Sequence, residues 1–235
     1  MFRSLSAGLG VCCAVLALGW TPARATLTIS AAVGGAPTGA DYVNFDSLPL
    51  GSAGGTSNGV TVSFTPDGQA VQGSLANRYA APYLSNNNGA LFGDPANGPD
   101  TTTYLTAGIG TVTLSLPGNA EYLGLLWGSV DAYNTLSLYE GTTLVGSITG
   151  SMVTASANGD QGANGTYYVN IDSTTPFNTV VASSSQYAFE FDNVAYNRMA
   201  VPEPTTMTLL GAGLIGLGIA RRKPARSART GRSPP

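Results

Sequence analysis

Histidine is absent from the 235-residue chain. That absence excludes Ser-His-Asp and Cys-His catalysis and every His-based metal site, because the general base or the ligand is missing. Cysteine is nearly absent: Cys12 and Cys13 are the only two, and both lie in the first apolar stretch. Charge is scarce as well, at 10% of residues against about 25% in an ordinary chain. Positive charge is scarcest in the middle. Between Thr26 and Ala200, Arg78 and Arg198 face 12 acidic residues, a formal charge of −10 hidden by the chain-wide −3. Such a segment repels phosphate backbones, which argues against nucleic acid as a partner.

Apolar residues are not lacking. At 43% hydrophobic residues and a mean hydropathy of +0.11, the chain is not intrinsically disordered. The 31 glycines and 14 prolines make it loop-rich, yet together they stay below the roughly 25–30% that marks low complexity.

The first 25 residues read as a secretory signal peptide. Arg3 supplies the positive n-region, Leu5 to Leu18 the apolar stretch, and Ala23-Arg24-Ala25 the small residues of a cleavage site. Signal peptidase would cut after Ala25, with Ala23 and Ala25 as the recognition residues. Val11 precedes the cysteines where a lipoprotein signal needs a small residue, so lipidation is not expected. Cleavage would remove both cysteines and leave an exported domain, 26–200, without disulfide, thiol or Cys-based zinc site. A core must then hold it, and its length suffices for one.

The other end reads Val201-Pro202-Glu203-Pro204, an apolar run from Met207 to Ala220, and Arg221-Arg222-Lys223. The 14-residue run would reach about 21 Å as a helix, short of the roughly 30 Å hydrocarbon core. Gly211, Gly213, Gly216 and Gly218 weaken it further. Pro202 and Pro204 keep the segment before it extended and helix-resistant, which suits a protease cleft, with Glu203 as the one charge there. The basic residues after the run favour the cytoplasmic side and leave the domain outside.

This tail resembles a PEP-CTERM sorting signal: a Pro-Glu-Pro motif, a short apolar segment and an Arg cluster, in that order, with a signal peptide at the other end. The resemblance covers 201–223. It implies processing by an exosortase, a membrane cysteine protease, through Val201, Pro202, Glu203, Pro204, Arg221 and Arg222. It also implies a membrane-anchored precursor with a short transmembrane segment at 206–220, and release or attachment at the cell surface or in the extracellular matrix. Residues 224–235 extend beyond the usual end of such a signal as a basic cytoplasmic extension.

The middle is patterned as β. Thr111–Leu116 alternates strictly, as does Tyr187–Phe191. Short runs at 27–32, 42–45, 60–64, 122–127, 135–139, 144–148 and 167–171 are rich in Val, Thr, Tyr and Phe and bounded by turn residues. No stretch has a helical period. The expected fold class is all-β: an antiparallel, jelly-roll-like β-sandwich flanked by the signal peptide and the hydrophobic sorting helix. Two long loops, 80–103 and 156–165, are of functional length.

Three motifs, EYLGLLWGSVDAYNTLSLYEG at 121–141, NFDSLPLG near the domain's start and FEFDNVAYN near its end, resemble exosortase-dependent surface proteins and are similar in style to carbohydrate-binding jelly rolls. The second likeness implies a structural calcium between the terminal segments, with Asp46, Asp192 and Asn193 as ligands. Asp46 and Asp192 could equally cap turns, and no EF-hand pattern is present. Trp127, Tyr133 and Tyr139, with Asp131 and Asn134 nearby, could form an aromatic platform for a glycan. Trp127 also ends an apolar run, as a core residue would, and Asp131 and Asn134 could instead fix a turn. Glu121, Glu140, Glu190 and Asp131 are available to a glycosidase, yet nothing nominates a pair. The reading is a non-catalytic exported protein with a structural or adhesive role in an exopolysaccharide layer. The alternatives are a carbohydrate-binding module and, less favoured, a glycan hydrolase.

Overall fold

The computed structural model describes residues 25–32, 35–94 and 97–198. The sorting residues at 201–204 and 221–222, the segment at 206–220, the extension at 224–235, and Ala23 with nearly all of the signal peptide lie outside them. Ala25 lies inside, two residues before the first strand.

The strands, in chain order, are β1 (Leu27–Ala32), β2 (Asp41–Val43), β3 (Gly55–Ser57), β4 (Val60–Thr65), β5 (Gln69–Val71), β6 (Tyr83–Leu84), β7 (Gly98–Pro99), β8 (Tyr104–Thr106), β9 (Thr111–Gly128), β10 (Asn134–Glu140), β11 (Thr143–Thr149), β12 (Tyr167–Ser184) and β13 (Glu190–Arg198). One α-helical turn, α1, spans Gly150–Val153. The described chain is predominantly β, as its alternation implied. Eleven strands form one antiparallel sheet, and β6 and β7 pair separately.

The two 18-residue strands β9 and β12 organise the sheet. They pair twice, Tyr167–Asp172 against Trp127–Tyr122 and Thr179–Ser183 against Ser115–Thr111, with the register broken between. Pro117 and Pro176 sit in that break. There a missing amide donor removes no ladder bond, so the prolines bend these strands rather than end them. The strands expected at 111–116 and 122–127 are therefore two halves of β9.

One half of the sheet carries β3 and β4 beside β9, and β10 and β11 beside β12. The other carries β13 beside β9, β2 and β8 beside β13, and β1 beside β12. The inward set changes parity at the bend, from Val112, Leu114 and Leu116 to Leu123, Leu125 and Trp127, and all six are buried. Both halves contribute to one apolar cluster. They touch at Gly146 of β11, where a Cβ would lie 2.5 Å from Leu27 Cδ1 of β1.

The second half is also covered on its other face. Leu126 and Tyr168 pack there against Leu84, with Ala36 and Phe92 alongside. This cover comes largely from the segment between β5 and β8, which also carries a 3-10 turn at Ala90–Phe92. Covering both faces explains the unbroken buried run from Tyr122 to Val130.

Candidate functional site

Two polar regions flank β13. One is a surface cleft, the other a buried acidic pocket beneath the long loop.

The cleft is lined by Arg78, Asp131, Tyr133, Asn158, Tyr187 and Glu190, among others. The turn after β9 positions Asp131 and Tyr133: Asn134 N donates to Asp131 O at 3.1 Å. The Tyr133 hydroxyl donates to Asp131 Oδ2 at 2.6 Å and lies 3.0 Å from the Tyr187 carbonyl. Burial holds both the Asp131 carboxyl and the Tyr133 hydroxyl above their ordinary pKa ranges. Arg78 donates to the Tyr187 hydroxyl, lies 4.6 Å from its ring centroid, and is 3.8 Å from Asp67 Oδ1. At the cleft floor, Glu190 is 2% exposed and both its oxygens are taken, one by Ala80 N at 3.0 Å and the other by the Ser129 hydroxyl. Burial pushes its carboxyl up to about 7.

The residues of the expected glycan platform part company here, and Tyr139, in β10, does not line the cleft. Asp131 and Tyr133 line the cleft. Trp127 does not: it is fully buried and stacked on Phe189 with 4.2 Å between ring centroids, leaving no face for a sugar. Alternation sends it into the core. Asn134 is also fully buried, and its Oδ1 accepts from the Ser184 hydroxyl at 2.8 Å. Arg78 and Tyr187 complete the cleft, brought beside Tyr133 from distant segments.

The acidic pocket is built around a β-bulge in β13. Asp192 pairs with Leu126, and Ala195 with Gly124, so β13 carries one extra residue here. Asn193 takes a positive φ of 51°. Consecutive side chains on a regular strand point to opposite faces. The bulge instead lets Asp192 and Asn193 serve one pocket. Two more carboxylates come from the long loop: Asp94 after the 3-10 turn and Asp100 after β7. One oxygen from each of Asp94, Asp100 and Asp192 lies within 4.8 Å of the others, and all three residues are buried.

Backbone hydrogen bonds within the loop set its shape. Asp94 N donates to Gly89 O at 3.2 Å and Asp100 N to Pro82 O at 2.8 Å. Asn193 Nδ2 donates to Asp94 Oδ2 at 2.8 Å. Asp100 Oδ1 accepts from Thr102 N and the Thr102 hydroxyl, both at 2.7 Å. Asp100 Oδ2, both Asp192 oxygens and Asn193 Oδ1 are buried without a hydrogen bond of normal geometry, although the Asp100 carboxyl and the Asn193 backbone N–H lie near Asp192. Burial raises the Asp94 carboxyl, and raises Asp192 well above its ordinary range with Asp100 adding to the effect.

Of the expected calcium ligands, Asp192 and Asn193 come together in this pocket and Asp46 lies beside it. Asp46 is exposed, and its two oxygens accept from Thr103 N at 3.0 Å and Asn44 Nδ2 at 2.6 Å. Asp46 thus holds the distant Thr103 backbone rather than capping a turn through its own backbone. Its charge nevertheless acts on Asp94. Asp94 and Asp100 were not singled out from the sequence. The available signal was two aspartates inside a loop of functional length.

Comparison with known proteins bears on the tail. Residues 200–223 match the family model for the PEP-CTERM protein-sorting motif. The motif implies export, processing by exosortase and a cell-surface or extracellular location. No curated protein matches the chain. Among the described residues, no helix is long and apolar enough to cross a membrane.

Proposed function

We propose that this chain, a PEP-CTERM sorting-domain protein by its residues 200–223, is a non-catalytic component of an exopolysaccharide layer, with a structural or adhesive role. The sorting motif carries the reading, because it implies export to the cell surface or beyond, where such a layer would lie. On this reading the domain is a jelly-roll-like β-sandwich whose two halves are those of the bent sheet; the shared apolar cluster and the Leu27–Gly146 approach support this. The −10 charge between Thr26 and Ala200 suits a hydrated polymer.

The state of the carboxylates supports the absence of catalysis. A glycosidase needs an acid and a second carboxylate reaching the same bond. Glu190 and Asp131 share a cleft, but Glu190 is buried with both oxygens engaged. Glu140 is exposed and lies at the far end of β10 from the cleft-lining turn.

The test uses the native protein in its own host, with and without the exosortase. Cell fractionation and the mass of the C-terminal peptide are expected to show an extracellular form ending near Pro202–Pro204 in the first strain and a membrane-held, full-length precursor in the second. A full-length membrane form in both strains would reduce the tail to an anchor and remove the support for a matrix role.

A second reading, a module with a defined glycan ligand, is favoured by the cleft. Tyr133 and Tyr187 offer ring surface, and Arg78, Asp131 and Asn158 offer donors and acceptors beside it. Saturable binding of the host's exopolysaccharide that Tyr187→Ala abolishes, with melting unchanged, would establish it. Binding unaffected by Tyr187→Ala would place any ligand elsewhere.

A further inference from the structure

We propose that Asp94, Asp100, Asp192 and Asn193 bind one divalent cation, calcium by its chemistry, which fastens the loop between β6 and β8 to the bulge of β13. This goes beyond the sorting reading and stands or falls without it.

Three buried carboxylates meet within 4.8 Å. Among the described side chains the basic one, Arg78, is engaged at the other site by Asp67 and Tyr187. Carboxylates removed from water are ordinarily paired, hydrogen-bonded or bound to metal. Here Asp192 is fully buried; the Asn193 backbone N–H and the Asp100 carboxyl lie near its oxygens, but neither makes a hydrogen bond of normal geometry to them. Asn193 Oδ1, also fully buried, is equally unpartnered, as is Asp100 Oδ2. With the carboxyls ionised, as a bound cation would keep them, these are all acceptors. Buried acceptors that converge without a donor call for a cation.

The donor set selects the ion. It is all oxygen, with neither His nor Cys in the domain, which disfavours zinc and other ions that prefer nitrogen or sulfur. Calcium takes oxygens at 2.3–2.6 Å in flexible geometry, so two of its ligands stand at most about 5.2 Å apart. The 4.8 Å limit on the three oxygens fits inside that span. Magnesium demands shorter bonds, near-octahedral geometry and several retained waters, which a buried pocket provides poorly. The Asn193 side-chain amide would supply a fourth oxygen, by its unpartnered Oδ1 or by turning the group that now donates to Asp94.

Such an ion would add to the contacts that already lay the loop on the sheet, Leu84 against Leu126 and Asn193 on Asp94. Asp94 and Asp100 belong to the long loop, and Asp192 and Asn193 to a central strand. Asp46, holding Thr103 N, would stand behind the site as an added negative charge.

The experiment uses the full chain in mild detergent, stripped with EDTA and dialysed into metal-free buffer. Calorimetric titration with calcium is expected to show one saturable site per chain. At a hundredfold excess over Kd, the melting temperature should rise by roughly 5–10 °C. Magnesium should give much the smaller response. Asp192→Asn should lose the heat of binding and the calcium-dependent rise. In metal-free buffer it should melt no lower than the stripped wild type, because it removes a buried unpaired charge. Asp100→Asn, which keeps an oxygen for Thr102, serves the same comparison if Asp192→Asn does not fold. Identical melting of the stripped wild type in calcium and in EDTA, or a calcium response kept by the variants, overturns the site. An equal response to magnesium overturns the assignment to calcium.

Discussion

Trp127 shows how one residue is decided by its neighbours. In the sequence it stands at the end of an apolar run, beside polar turn residues, where it could serve a core or a sugar. In the structure it is stacked on Phe189, fully buried, with its indole N–H unpartnered. Trp127→Ala should therefore cost about 3–5 kcal/mol of stability, as large-to-small core changes do, measured by urea unfolding. Trp127→Phe should cost much less, because it keeps a ring on Phe189 and removes a buried donor without a partner. A Trp127→Ala variant of undiminished stability would contradict the core assignment. Asp192 and Asn193 make the opposite case. The sequence singled them out together, and the bulge is what lets neighbouring residues share a pocket. Asp46 was singled out with them, yet its oxygens are spent on Thr103 and Asn44.

At the scale of elements, alternation located strands well and their ends less well. β1 and β4 match their apolar runs closely, since each is short and bounded by turn residues. β9 and β12 run on through Pro117 and Pro176, because the sheet shifts register where the amide is missing. The strand expected from Tyr187 begins only at Glu190, and Tyr187 goes to the cleft instead. The long loop acquires order by lying against the sheet: its Pro82 approaches the end of β9 so closely that a Cβ on Gly128 would stand 3.0 Å from Pro82 Cα. Gly128→Ala should thus push backbone against backbone and cost about 1–3 kcal/mol. The shift should appear in thermal melting. An unchanged melt would show that the loop yields at no cost.

For the whole molecule, the absence of cysteine after Cys13 leaves stability to burial and hydrogen bonding. The exported form should unfold identically with and without dithiothreitol, since no bridge exists to be reduced. A reductant-dependent melt would mean that Cys12 and Cys13 remain in the exported protein. The polar regions sit at opposite ends of one short path along β13, Glu190 facing the cleft and Asp192 the acidic pocket. A cation at the second would hold the loop whose Ala80 N caps Glu190 in the first.

The sorting motif and the β character of the chain were legible in the sequence because their signals are local. A sorting signal is read as a linear string by a protease, so 200–223 carries its meaning without a fold. Alternation is a property of each strand alone, so the antiparallel β character followed from composition and period. The pockets were not legible in this way. Asp94 and Asp100 meet Asp192, nearly a hundred residues on, only because the loop folds back onto β13. Arg78 meets Tyr187 in the same fashion. Which carboxylates are buried, and which oxygens lack a donor, depends on register, bulge and loop path together, and those are settled only when distant strands pair.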